Sequence, residues 1–128
     1  MKRLRWAAAL GVVALSALGT APSASAAGDA AAGQKVFSIF CAVCHSTKEG
    51  VNMVGPSLNK VYGRKAGSIP GFKYSPAVLN SGIVWNDETL DKWLTNPQAE
   101  IPGNRMPFAG ISDAQKRASV IEYLKTLQ

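Results

Sequence analysis

Apolar residues recur with a helical period in some stretches of this chain and with no period in others, and that contrast outlines its architecture. From Asp29, a candidate N-cap, the residues Ala30, Gly33, Phe37 and Phe40 or Cys41 return at helical spacing, which predicts a first helix with one buried stripe. Gly33 either lets a second helix cross close to its backbone or is an ordinary glycine in a helix, and the pattern alone does not choose. Residues 46–70 show no sustained period and are punctuated by Gly50, Gly55, Pro56, Gly63, Gly67 and Pro70, so loops are predicted. So long a loop in a compact domain needs a reason, and wrapping a bound group is one. Ser75-Pro76 is an N-cap followed by a proline suited to the first helical position, opening a short helix that Gly82 should stop. Asn86 with Asp87 and Glu88 starts another helix, whose apolar face is Leu90, Trp93 and Leu94 and which Asn96-Pro97 ends. Ser112 and Gln115 form the pattern of a capping box, followed by a stripe of Val120, Ile121, Leu124 and Leu127 with Tyr123 beside it. The fold class is all-α, four or five helices joined by long loops.

The segment before Asp29 has a different character. Lys2, Arg3 and Arg5 precede an apolar or small-residue run from Trp6 to Gly19, and Ala24-Ser25-Ala26 fits a small-x-small cleavage pattern. The run is 14 residues long, short of the about 20 needed to span a bilayer, so residues 1–26 are expected to be a cleaved signal peptide rather than an anchor. The mature chain, residues 27–128, is then 102 residues and one domain, exported to the periplasm in a bacterium. Such a domain has a thin core, and a large apolar cofactor would give its side chains something to pack on. Without the three basic residues of the leader, 11 Lys and Arg face 8 Asp and Glu, a net charge of +3. No dense basic run or face accompanies it, which speaks against nucleic-acid binding.

The chemistry is concentrated at one place. The chain has two cysteines and one histidine, and all three lie in Cys41-Ala42-Val43-Cys44-His45. Cys-x-x-Cys followed directly by His is the pattern of covalent c-type haem attachment. One helical turn separates the thiols, so both can leave the same face and add to the two vinyl groups at one edge of a flat ring, while the adjacent imidazole can reach the iron. A thioredoxin-like dithiol would need a strand-to-helix junction, and nothing here alternates strands with helices. A tetrahedral zinc site would need a fourth ligand beyond the three of this loop. With His45 on one axial position, the mature chain offers Met53, Met106 or a lysine for the other. Met106 sits between Pro102 and Pro107, where the backbone is stiff, or else it is a methionine filling a gap in the core.

Several further segments, in order, carry a resemblance to a known family. Besides the cysteine motif they are Gly55-Pro56-Ser57-Leu58, Tyr62-Gly63-Arg64-Lys65-Ala66-Gly67, Pro70-Gly71-Phe72-Lys73-Tyr74, Ile83-Val84-Trp85 and Ile101-Pro102-Gly103-Asn104-Arg105-Met106. From Gly33 to Leu124 the chain resembles a class I cytochrome c of the mitochondrial and soluble bacterial cytochrome c2 kind. The resemblance implies one haem c, covalent through Cys41 and Cys44, with His45 and Met106 as axial ligands and Met53 as a plain loop residue. It implies that the Pro56 carbonyl accepts the Nδ1 proton of His45 and that Arg64, Tyr74 and Trp85 surround the haem propionates. It implies that Gly33 and Phe37 meet the last helix near Tyr123. By the same likeness the protein is a monomeric electron carrier, not an enzyme. It would dock transiently on a cytochrome bc-type complex as donor and on a terminal oxidase or photosynthetic reaction centre as acceptor.

The chain also departs from that pattern. Trp93 stands where the family usually has a tyrosine, Val78 where it has an asparagine and Asn104 where it has a threonine, so an altered polar network is expected around Met106. Positions of several docking lysines read Phe40, Gln98 and Ala99, leaving Lys35, Lys73 and Arg105 for a basic rim. Two rivals remain at this point: an open iron that binds small gases or acts as a weak peroxidase, should Met106 not bind, and a dithiol enzyme that cycles Cys41 and Cys44.

Overall fold

The computed structural model describes residues 27–128, and the expected signal peptide, residues 1–26, lies outside the described residues. Five helices follow in order: α1 (Ala30–Phe40), α2 (Pro76–Leu79), α3 (Asp87–Thr95), α4 (Pro97–Glu100) and α5 (Ala114–Lys125). The all-α expectation holds among these residues, where the only β pairing is an isolated bridge between Lys65 and Val84.

The frame is the crossing of α1 with α5. The Asp29 side chain caps α1 by accepting from Ala31 N–H, and the Asp29 N–H donates to Ser119 Oγ at 3.1 Å, fastening the start of one helix to the middle of the other. A methyl group added at Gly33 would overlap the Ser119 carbonyl, so this glycine marks a true backbone-to-backbone approach. Beside it Phe37 meets Tyr123 edge to face, with ring centroids 5.1 Å apart. Val120, fully buried in α5, joins Phe37, Ile121, Leu124, Leu90 and Leu94 in the core. Burying one such side chain stabilises the fold by about 1.5–3 kcal/mol.

Two helix boundaries differ from the sequence pattern. The N-cap of α5 is Asp113, not Ser112: its carboxylate accepts from Lys116 N–H at 2.9 Å. Ser112 instead offers its carbonyl to Arg117, and Gln115 reaches the Ala27 carbonyl, so the box does not form. The short helix α2, capped by Ser75, ends at Leu79 before Gly82 is reached; Gly82 turns the chain afterwards with a φ of 68°. A further turn, α4, follows α3 directly. Asn96 ends α3 and its side chain caps α4 through Ala99 N–H, with the buried Pro97 at the first helical position.

Residues 46–75 contain no helix and wrap one side of the frame. Side chains brace them from within. The buried Ser57 donates to the Lys48 carbonyl at 2.6 Å, and its own N–H is taken by Asn52. Residues 63–66 pair with 83–85 through Gly63 to Trp85, Trp85 to Arg64 and Ala66 to Ile83 backbone bonds of 2.7–2.9 Å. Trp85 is thereby held, 8% exposed, against the core.

Candidate functional site

Between the frame and the loops lies a cleft of about 340 Å³. One wall begins where α1 stops. Cys41 caps the helix, and the Cys44 and His45 N–H groups both donate to the Cys41 carbonyl, so the motif forms one tight turn. His45 is fixed by two neighbours. Its Nδ1–H donates to the Pro56 carbonyl at 2.7 Å, which leaves Nε2 as the nitrogen with a free lone pair. Gly55 lies so close that a methyl group there would overlap the imidazole. Burial pulls the His45 pKa below its ordinary value, favouring the neutral ring that a metal needs.

The two thiols are free and half-buried. Burial, with a smaller contribution from Cys44, pushes the Cys41 thiol up to about 11. A dithiol enzyme needs a thiolate stabilised near neutral pH, and burial acts on Cys41 in the opposite direction. Among the described residues no group of three or more His, Cys, Asp or Glu side chains is placed to hold a metal by itself.

The other inward-facing groups come from distant parts of the chain. Cys41, Cys44, His45, Pro56, Arg64, Tyr74, Trp85 and Met106 all line this one cleft. Met53 does not; it is an exposed loop residue. Of the expected basic rim, Lys73 and Arg105 line the cleft, whereas Lys35 sits on the exposed face of α1 outside it. Arg64 is largely committed to the backbone, its two terminal nitrogens donating to the Asn59 and Ser57 carbonyls at 2.7 and 3.0 Å. Burial pulls its pKa down from the ordinary value. The Tyr74 hydroxyl accepts from Ile69 N–H, which leaves its proton to donate.

Several of the residues that depart from the family pattern lie here. Trp93, Val78 and Asn104 all line the cleft, and Trp93 packs on Trp85 with ring centroids 5.4 Å apart. Phe40 meets Phe108 across 6.2 Å at the same cleft. Two further contributors were not identified from the sequence. Gly55 stood out as loop punctuation and as part of a motif, but its role depends on a contact with a side chain ten residues away. The pairing of Phe40 with Phe108 had no signal, because the two are far apart in sequence.

A flat apolar group with an anionic edge suits these surroundings. Leu58, Val61, Leu90, Leu94, Val120 and Leu124 supply apolar walls, while Arg64 and Tyr74 supply polar donors. Two thiols one turn apart, a neutral imidazole and a thioether complete a donor set that fits covalent haem.

Comparison with known proteins agrees with this chemistry. The family model described as cytochrome c matches residues 30–128. Cytochrome c2 iso-2 of Magnetospirillum molischianum is 53% identical over 89 residues, covering 70% of this chain and 92% of the relative. Cytochrome c of Euglena viridis is 48% identical over 101 residues, covering 79% and 99%. Among solved structures, cytochrome cH from Methylobacterium extorquens superposes with a TM-score of 0.72 at 45% identity, covering 77% of this chain and 99% of that one.

Proposed function

Because the chain belongs to the cytochrome c family, in its class I cytochrome c2 group, we propose that it is a periplasmic one-electron carrier with His45 and Met106 as axial ligands of its haem. Family membership makes it an electron-transfer protein with covalent haem c rather than an enzyme. When bound, the haem iron supplies a one-electron Fe(III)/Fe(II) couple. Cys41 and Cys44 would hold it covalently as thioethers, and the Pro56 carbonyl keeps His45 in the tautomer that presents Nε2. As a ligand the Met106 thioether would favour the reduced state, and the apolar lining would disfavour added positive charge, so a positive potential is expected. Arg64, Tyr74 and Trp85 offer donors to the propionates.

The observation that carries this reading is the meeting of Cys41, Cys44, His45 and Met106 in one cleft, although Met106 is far from the others in sequence. In this reading residues 1–26 direct export to the periplasm and are cleaved, and the +3 charge of the mature chain steers it toward acidic patches, more strongly at low salt. A cytochrome bc-type complex is the donor in this reading, and a terminal oxidase or photosynthetic reaction centre is the acceptor. A visible spectrum of periplasmic extract with a pyridine haemochrome assay tests cofactor and compartment together. A c-type spectrum in that fraction is expected; colourless exported protein would reject the reading.

A further inference from the structure

Asn104 is a polar side chain only 7% exposed, in the loop that ends at Met106. Its amide uses every direction it has. Nδ2 donates to the Pro97 carbonyl at 2.9 Å and to the Ile101 carbonyl at 2.8 Å. Oδ1 accepts from the Met106 N–H at 2.9 Å and from Gln98 Nε2 at 3.1 Å. Two donors and two lone pairs are thus all satisfied, the fullest set an amide can make. The partners on one side belong to α4 and its C-cap, a turn anchored by the buried Pro97 and capped by Asn96. On the other side is the backbone of Met106 itself. A single hydroxyl could join the two with only one donor bond, because it has one proton to give where the amide reaches two carbonyls.

We infer that Asn104, assisted by Gln98, is the positioning residue that ties the Met106 backbone to α4 and so holds the thioether against competing ligands. The inference rests on the proposal that Met106 is an axial ligand. Gln98 extends the same tie, its Nε2 lying 3.3 Å from the Asn104 carbonyl and 3.5 Å from that of Met106. The side chain of Gln98 is exposed, so its contribution is the smaller one. Freeing the Met106 loop breaks hydrogen bonds in a buried place, a cost that any external ligand must meet before it can take the thioether's position.

The test uses the haem-loaded exported protein and imidazole as the competing ligand. Ferric wild-type protein is first examined for a sulfur-to-iron charge-transfer band, with Met106→Ala as the reference that lacks it. Imidazole affinity is then titrated, and exchange of the Met106 amide proton is followed by NMR. Asn104→Ala is expected to bind imidazole at least about tenfold more tightly and to exchange the Met106 amide at least about tenfold faster; Gln98→Ala should shift both by about two- to threefold. A wild type without the band would reject Met106 as ligand and the inference with it. A wild type with the band, whose Asn104→Ala variant matches it within twofold in both readouts, would overturn the positioning role alone. Should Asn104→Ala fail to load haem, Gln98→Ala decides, and unchanged exchange at Met106 would overturn the tie.

Discussion

The wall of the cleft made by residues 41–56 and the wall made by residues 96–108 each offer one group to a metal, but they hold it by different means. His45 follows the cysteines directly, and one backbone carbonyl together with contact from Gly55 suffices to orient it. Met106 comes from an irregular stretch with no helix of its own, and its backbone is fixed by an amide side chain bonded four ways. Where the attachment points are adjacent in sequence, sterics and a single hydrogen bond fix the proposed ligand. Where they are not, a polar network replaces sequence proximity. The first wall should therefore fail as a unit when crowded, whereas the second should loosen and retune the centre without losing it.

The largest effect is expected on the first wall. Gly55→Val would drive its side chain into the His45 ring; overpacking of this kind costs about 1–3 kcal/mol and here falls on the proposed ligand. Denaturant midpoint and holoprotein yield should both drop, and a variant with wild-type values would remove the steric part of the comparison. On the second wall, Met106→Ala should leave the haem attached to Cys41 and Cys44, as a haem stain on a denaturing gel reports, while voltammetry records a marked fall in potential. An unchanged potential would mean that Met106 is not a ligand.

The smallest effects belong outside both walls. Lys125 bridges Asp87 at 2.8 Å and Glu122 at 2.7 Å, and the Tyr62 hydroxyl donates to Asp87 at 2.9 Å, clipping the end of α5 to the start of α3. The Lys125 hydrogen bond, then that from Tyr62, holds the Asp87 carboxyl below its usual range. A carboxyl depressed in the fold adds stability that is present above its ordinary pKa of about 4 and is lost as pH falls through the lower folded value. Lys125→Ala should accordingly cost about 0.2–1 kcal/mol near neutral pH, since these groups are largely solvated, and should flatten the acid limb of the stability curve. The potential should stay at the wild-type value. Denaturation at several pH values checks the first part, and a potential that moves would show that the clip and the cleft are coupled.

The helices were legible because their signals are local. Asp29, Ser75 and Asn86 cap the helices they precede, and the apolar stripes of α3 and α5 face the core, as do Gly33 and Phe37 of α1, whereas Phe40 at the end of that stripe is exposed. Asp113 rather than Ser112 caps α5, its carboxylate taking the Lys116 N–H. Two adjacent residues can each serve as a cap, and periodicity does not choose between them. The helix α4 escaped because one residue, Asn96, both ends α3 and caps its successor. At the cleft, the cysteine motif identified the attachment chemistry by spacing alone, but residues alone left Met53 and Met106 open until family likeness favoured one. An altered network around Asn104 was foreseeable from its departure from that likeness. Its four partners were not, since two are carbonyls of a turn that the sequence pattern did not predict.

The most direct test of the central assignment, Met106 sulfur as the second iron ligand with His45 as the first, is proton NMR of the reduced protein. A methionine methyl held over a diamagnetic haem is shielded by the ring current, so the Met106 methyl signal should lie far upfield of every other methyl and vanish in Met106→Ala. A reduced protein whose methionine methyls all resonate at ordinary positions would contradict the assignment.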